Sequence, residues 1–249
     1  MPFVSIVIPA YNEQSRLPAT LQAVRNYLAV RHPGDFEILV VDDGSRDSTA
    51  AVAERFCRDH PEARLLRNPG NRGKGYSVRH GMLKACGEWI LFTDADLSAP
   101  IAEYDKLMEA AARQGAAVAI GSRALDRSLI GVHQPRRREW AGRIFNVLMR
   151  LLVGLPFRDT QCGFKLFRRD AARAVFSRQR IERFGFDVEI LYLARKLGFK
   201  TVEVPVRWNH AEGTRVSMFR DSLDMFLDLL RVRWWWRRGL YRGAPRAEG

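Results

Sequence analysis

Carboxylates stand where a site on the carboxyl edge of a sheet would need them. Glu13 comes shortly after an apolar run ending at Pro9, Asp42 and Asp43 follow a second ending at Val41, and Asp94 and Asp96 follow a third ending at Thr93. Each turn alone has an ordinary explanation, because Asn and Asp are common turn and cap residues. Three such turns on one edge would repel one another unless a cation or a donor-rich ligand joined them, so together they point to a metal-bound or hydroxyl-rich ligand. In an extended segment Asp94 and Asp96 would point the same way. Hard oxygen donors of this kind suit Mg²⁺ or Mn²⁺, which bridge one or two carboxylates to a substrate's phosphate oxygens. Asn71-Arg72-Gly73-Lys74-Gly75 is a glycine-rich turn opening a helix, a second place for phosphate. The spacings of a P-loop and of a dinucleotide fingerprint are both absent.

The elements that must position these residues alternate. Val4–Pro9, Phe36–Val41, Arg64–Arg67, Trp89–Thr93 and Val118–Gly121 read as strands whose near-continuous apolar character suits a sheet covered on both faces. Helical patterns at 15–29, 48–58, 75–85 and 102–114 separate them, the second capped by Asp47 or Ser48. The class is therefore α/β, with a mostly parallel sheet that binds ligands at the carboxyl ends of its strands. Further on, 140–153, 170–176 and 187–197 read as helices, and 163–167 and 201–206 as strands. A final amphipathic helix is expected over 217–236, so the chain divides into a main domain, 1–215, and a basic, Trp-rich C-terminal helix and tail, 216–249.

The chain has 249 residues, 47% of them hydrophobic, enough for a substantial core and too apolar for a disordered protein. Its three cysteines, Cys57, Cys86 and Cys162, form neither a disulfide framework nor a metal-binding pair, and the five histidines lack metal-ligand spacing. A reducing compartment is the default. No apolar stretch reaches the ~20 residues needed to span a bilayer, and the N-terminus lacks a secretory signal, so a cytoplasmic protein, soluble or peripheral, is expected. The net charge of +13 implies an anionic partner. No nucleic-acid-reading module is recognisable, which excludes that class and leaves phosphorylated small molecules and acidic lipid.

The ordered set Val-Ser-Ile-Val-Ile-Pro-Ala-Tyr-Asn-Glu, Val-Val-Asp-Asp-Gly-Ser, Asn-Arg-Gly-Lys-Gly, Thr-Asp-Ala-Asp and Ile-Gly-Ser-Arg resembles inverting family 2 glycosyltransferases of the GT-A fold. Asp159-Thr-Gln-Cys-Gly-Phe-Lys-Leu-Phe, Phe186-Asp-Val-Glu-Ile-Leu and Glu203-Val-Pro-Val narrow the resemblance to dolichyl-phosphate β-glucosyltransferases, with dolichol-phosphate mannose synthases more distant. The match spans about residues 3 to 235. It implies a Rossmann-like sheet with helices on both faces. Pro9, Ala10, Tyr11 and Glu13 would line the nucleotide pocket, Asp42 would meet the base or ribose, and Asp43, Lys74 and Ala95 would complete the nucleotide-sugar set. Asp94 and Asp96 would hold Mg²⁺ or Mn²⁺ and the donor diphosphate. Arg123, Arg137 and Arg215 would hold the acceptor phosphate. The chain departs from the mannose-synthase pattern at Ser98, Ala141 and His210, which makes a mannose donor less fitting.

The reaction expected is attack of a polyprenyl-phosphate oxygen on the anomeric carbon of a nucleotide sugar, UDP-glucose ahead of GDP-mannose. A phosphate monoester is already an anion at neutral pH and needs no strong base. Asp159 would orient an arginine or the sugar; the alternative is a base, needed if the acceptor were a sugar hydroxyl or another soluble molecule. A non-catalytic nucleotide-sugar binding protein is the reading from another class. The segment Arg231-Val-Arg-Trp-Trp-Trp-Arg-Arg suits an anionic membrane surface, giving peripheral attachment on the cytoplasmic face. Its tryptophans could instead cap the core.

Overall fold

The computed structural model of the chain describes residues 1–132, 154–209 and 220–242. The helix expected over 140–153 lies outside them, as does the expected domain boundary at 215/216. Strand β1 (Val4–Ala10) is the hub of the molecule. Val4, Ile6 and Ile8 face one layer and Val7 the other, so the strand is apolar almost throughout. The first face packs on Leu17, Leu21 and Val24 of α1 (Leu17–Arg31), the second on Val78 and Met82 of α3 (Lys74–Lys84). Each such side chain, fully buried, contributes roughly 1.5–3 kcal/mol.

From β1 the chain runs outward through β2 (Phe36–Asp42), α2 (Thr49–Asp59) and β3 (Ala63–Arg67), then returns through α3 to β4 (Trp89–Thr93) on the other side of β1. After α4 (Tyr104–Gln114) come β5 (Val118–Ser122), the short β6 (Ile130–Val132), β7 (Phe164–Arg168), α5 (Arg169–Phe176), α6 (Phe186–Lys196), β8 (Thr201–Pro205), β9 (Trp208–Asn209) and α7 (Arg220–Arg237). The main sheet is ordered β3-β2-β1-β4-β7-β5-β8. All its neighbours are parallel except β7, which runs antiparallel to both β4 and β5. The topological switch point lies between β1 and β4, where α/β sheets open a crevice for ligands. Because β7 is reversed, the residues before it reach the same edge as the residues after β4, Thr93 pairing with Phe164.

Three details sharpen or differ from expectation. Ser48 occupies the N-cap position of α2 without a side-chain cap bond, and the Asp47 carboxylate before it accepts from the Thr49 N–H at 2.9 Å, so the two candidates share the task. A two-stranded parallel ribbon, β6 with β9, was not foreseen, because strands this short carry no readable alternation. The tryptophans of α7 divide: Trp235 and Trp236 pack on the core beside buried Leu229, Val232 and Tyr241, whereas Trp234 is exposed. Among the described residues no helix is long and apolar enough to cross a membrane.

Candidate active site

At the switch point a cavity of about 360 Å³ opens between the ends of β1, β2 and β4. Pro9, Ala10, Tyr11 and Glu13 form one wall; Asp43 and Lys74 form another; Asp94, Ala95 and Asp96 form the floor. All of these were singled out in the sequence. Arg16, Ser77, Arg183 and Phe184 also line it and were not.

The first wall is built by stitching one turn to the next. Asn12 adopts a positive φ of 54°, and its N–H donates to Ser45 Oγ at 2.9 Å while its side-chain oxygen accepts from Arg46 N–H at 2.7 Å. Glu13 N–H donates to Thr49 Oγ1 at 2.7 Å. The Glu13 carboxylate takes a two-pronged contact from Arg16, at 2.6 and 2.8 Å, which places a guanidinium at the cavity rim. Arg16 was not readable from helical spacing, because the pair lies in the turn before α1.

Asp42 and Asp43 have different tasks. Asp42, expected on the base or ribose, is buried, accepts from Ser45 N–H at 3.3 Å and is not among the cavity-lining residues. Asp43 faces the cavity but is committed to the glycine-rich turn, accepting from Arg72 N–H at 3.0 Å, Gly73 N–H at 2.8 Å and Asn68 Nδ2 at 2.7 Å. This turn needs its glycine: Gly73 has φ +108°, and a Cβ there would lie 2.6 Å from the Glu182 carbonyl oxygen. The segment 179–186 therefore backs the turn, with Tyr76 N–H donating to the Glu182 carbonyl and Gln179 Nε2 to the Gly75 carbonyl. Arg183 and Phe184 reach the cavity because that segment is held so closely.

The floor departs from extended geometry straight after Thr93. Asp94-Ala95-Asp96-Leu97 is a turn, with Leu97 at φ 46°, and it is pinned where Thr20 Oγ1 donates to the Ala95 carbonyl at 2.6 Å. Ser98 N–H donates to Asp96 Oδ1 at 2.9 Å. Both carboxylates still face one cavity. Lys74 Nζ pairs with Asp94 Oδ1 at 2.5 Å. Burial alone would lower the Lys74 pKa, but Asp94, Asp187 and Asp96 outweigh it and leave it raised. Behind this pair, Lys165 is wholly buried, donates to the Cys162 carbonyl at 2.6 Å and pairs with Asp187. Burial pushes the Asp187 carboxyl up despite both lysines.

Arg123 and Asp159 meet across the same edge. Arg123 Nε and Nη2 reach the two Asp159 oxygens at 2.7 and 2.9 Å, and Arg123 N–H donates to Asp159 Oδ2 at 3.0 Å. Burial would raise the Asp159 pKa, but the guanidinium outweighs it and holds the carboxyl down at about 2. Trp208 on the unforeseen ribbon lies under the guanidinium, 5.4 Å from its carbon. Asp94 is close enough to add to the field on Arg123. Burial pushes the neighbouring Cys162 thiol up to about 12, so it is no nucleophile. The other two expected acceptor contacts, Arg137 and Arg215, lie outside the described residues, as do Ala141 and His210.

The donors on the floor are oxygens only. Among the described residues no group of three or more His, Cys, Asp or Glu forms a protein-only metal cage. Two carboxylates with open space above them fit a Mg²⁺ or Mn²⁺ completed by substrate phosphates, and Asp94 already draws a cation to itself in Lys74.

Comparison with known proteins agrees with this geometry. A dolichyl-phosphate beta-glucosyltransferase of Dictyostelium discoideum is 35% identical over 96% of this chain and 76% of its own. The Drosophila melanogaster protein of that name is 40% identical over 92% and 74%, and the human one 37% over 96% and 77%. Among solved structures, glucosyl-3-phosphoglycerate synthase of Mycobacterium tuberculosis with uridine diphosphate shares the fold at TM-score 0.67 and 19% identity, covering 93% of this chain and 80% of that one. Mannosyl-3-phosphoglycerate synthase of Rubrobacter xylanophilus does so at TM-score 0.67 and 18% identity, covering 100% and 78%. These neighbours are GT-A glycosyltransferases. The family described as Glycosyl transferase family 2 matches residues 5–176, and this chain, a glycosyltransferase of GT-A fold, belongs to it.

Proposed function

We propose that this chain transfers glucose from UDP-glucose to a polyprenyl phosphate such as dolichyl phosphate, with inversion at the anomeric carbon. The observation that carries the reading is the Arg123–Asp159 fork. Asp159 is locked by a guanidinium at 2.7 Å with its pKa near 2, so it is a poor proton acceptor. Of the other carboxylates at the cavity, Glu13 is held by Arg16 and Asp43 by N–H donors, while Asp94 and Asp96 would be taken up by the metal. A site with its carboxylates so committed suits an acceptor that arrives already ionised, as a phosphate monoester does with a second pKa near ~6. That favours a phosphate over the sugar-hydroxyl alternative, which requires a base.

The chemistry balances without a proton in flight. A phosphate oxygen of the acceptor forms the new bond to the anomeric carbon, the bond to the nucleoside diphosphate breaks with its electron pair, and the diphosphate leaves as the anion. Arg123, held flat by Asp159 and Trp208, would bind the acceptor phosphate and offset its repulsion from the donor phosphates. Arg137 and Arg215 are proposed to share that task. Pro9, Ala10, Tyr11 and Glu13 would hold the nucleotide, and Lys74 would move from Asp94 toward the donor phosphates. Asp94 and Asp96 would hold Mg²⁺ or Mn²⁺, which supplies charge neutralisation for the departing diphosphate. Relatives named for dolichyl phosphate and fold neighbours crystallised with uridine diphosphate and Mn²⁺ or Mg²⁺ support the choice. A lipid acceptor places the enzyme at a membrane, and the basic, Trp-bearing C-terminal segment supports peripheral attachment to its anionic cytoplasmic face.

The test is a donor panel. Labelled UDP-glucose, UDP-galactose, UDP-N-acetylglucosamine and GDP-mannose are each offered with a polyprenyl phosphate, with and without Mn²⁺ or Mg²⁺. Metal-dependent label in an acid-labile lipid fraction from UDP-glucose alone is the expected result. Label from GDP-mannose instead would overturn the donor assignment.

A further inference from the structure

Helix α7 carries two apolar stripes where docking on its own domain needs one. Leu229, Val232 and Trp236, at i, i+3 and i+7, face inward, the first two buried and the third packed on the core. Leu227, Leu230 and Trp234 repeat that spacing and are 39%, 45% and 52% exposed. At about 100° per residue each triplet falls within roughly 60° of arc, and the two arcs lie on opposite sides of the helix. The outward stripe is edged by Arg231, Arg237 and Arg238, all exposed, and the Arg238 guanidinium stands 5.4 Å from the centre of the Trp234 ring.

The middle of this helix and the turn beyond its C-terminal end clamp the cavity wall. Asp228 is packed so closely on Gly185 that a Cβ on the glycine would lie 2.9 Å from the aspartate's own Cβ. Just past the helix's C-terminal end, Tyr241 donates its hydroxyl to Glu189 at 2.6 Å, and Glu189 accepts from Arg180 and Ile181 N–H groups at 3.0 and 2.8 Å. Between these two clamps lie Arg183 and Phe184, which line the cavity.

We infer that the Leu227–Leu230–Trp234 stripe is the surface by which this protein lies on an anionic bilayer, with the Arg183–Phe184 wall as the side of the cavity nearest the lipid. The composition is what an interfacial helix requires. Aliphatic groups and a tryptophan enter the headgroup boundary, and flanking arginines meet acidic lipid. The net charge of +13 gives the whole molecule the complementary sign. The purpose of the contact, delivering a lipid phosphate, rests on the function proposed above; the contact itself rests on the helix.

The experiment uses the full chain and a variant carrying Leu227→Ser, Leu230→Ser and Trp234→Ser, with circular dichroism melts as the folding control. A second variant, Arg237→Ser with Arg238→Ser, leaves the apolar residues intact. Each is sedimented with phosphatidylcholine vesicles containing or lacking phosphatidylserine. The full chain is expected to bind the anionic vesicles, less at high salt, and each variant to bind at least about tenfold more weakly. Turnover of a short-chain, water-soluble prenyl phosphate is expected to stay within about twofold of the unmodified chain. Vesicle binding unchanged in both variants, or absent in the full chain, overturns the inference. So does a dimer of the full chain, seen by sedimentation velocity, that the triple variant dissociates. Vesicle binding as expected with no glucose transfer to any prenyl phosphate would overturn the proposed function and leave the docking surface standing.

Discussion

A β-carbon on Gly163 would stand 2.5 Å from Cγ of Asp94. The backbone entering the antiparallel strand β7 is therefore pressed directly against a floor carboxylate, and only glycine permits it. Gly163→Ala must move one or the other, at about 1–3 kcal/mol for an overpacked site. The expected outcome is a melting temperature lowered by a few degrees and transferase activity lowered by at least about tenfold, since the displaced group is the carboxylate itself. Thermal melts and steady-state kinetics on the same sample check it. Unchanged activity would show that Asp94 need not be fixed.

Asp159→Asn removes the charge that holds Arg123. Breaking a buried pair by changing one partner costs roughly 3–5 kcal/mol. The kinetic signature should be selective, with the acceptor KM rising well above the donor KM. Equal rises in both would place Arg123 on the donor. Because Arg123 holds the Asp159 carboxyl near 2, below its ordinary value, this pair's stabilisation is complete above about pH 4 and is lost only as pH falls through 2. No acid limb from Asp159 is therefore expected in the rate between about pH 5 and 8.

Lys74→Ala leaves Asp94 without its ammonium partner. Donor binding should weaken, by about 10- to 100-fold for a lost charge contact to phosphate, while the requirement for added Mg²⁺ or Mn²⁺ becomes steeper. Titration calorimetry with UDP across metal concentrations measures both. Chelation should abolish transfer by the unmodified chain, and Asp94→Asn or Asp96→Asn should do so whatever the metal concentration.

Glu189 provides a test of the support beneath the cavity wall. Burial holds its carboxyl at about 7, above the ordinary 4.5, against the pull of Tyr241 and two N–H groups. The folded chain keeps a proton there that the unfolded chain releases. This contribution to stability is whole below about pH 4.5 and is lost as pH rises through 7. Melting temperature should therefore fall between about pH 5 and 8, and Glu189→Gln, which cannot titrate, should flatten the slope.

Strands β1, β2 and β4 were legible because each is buried on both faces and reads as a near-continuous apolar run. The acidic turns after them were legible for the same reason, since a strand end fixes where the next residues lie. Which of two adjacent carboxylates faces a ligand was not. Asp42 and Asp43 differ by their partners, Ser45 N–H for one and the glycine-rich turn for the other, and those partners are fixed by tertiary approach. Arg183 and Phe184 were missed because their place comes from contacts with Gly73 and Gly75, more than a hundred residues earlier in the chain. The β6–β9 ribbon was missed because so few residues carry no period, though it sets Trp208 beneath Arg123. Asp187 and Lys165 were legible only as parts of a resemblance. Their mutual burial, under the Lys74–Asp94 pair, is a property of the fold.

The central claim is that the acceptor arrives as an anion and is held by Arg123. Offering the enzyme UDP-glucose with a polyprenyl phosphate and, separately, with the matching polyprenol tests it most directly. The account predicts glucose on the phosphate alone, with a rate that rises through the acceptor's own second ionisation near pH ~6 and is lost in Arg123→Ala. Glucose on the free alcohol, at a comparable rate and insensitive to Arg123→Ala, would contradict it.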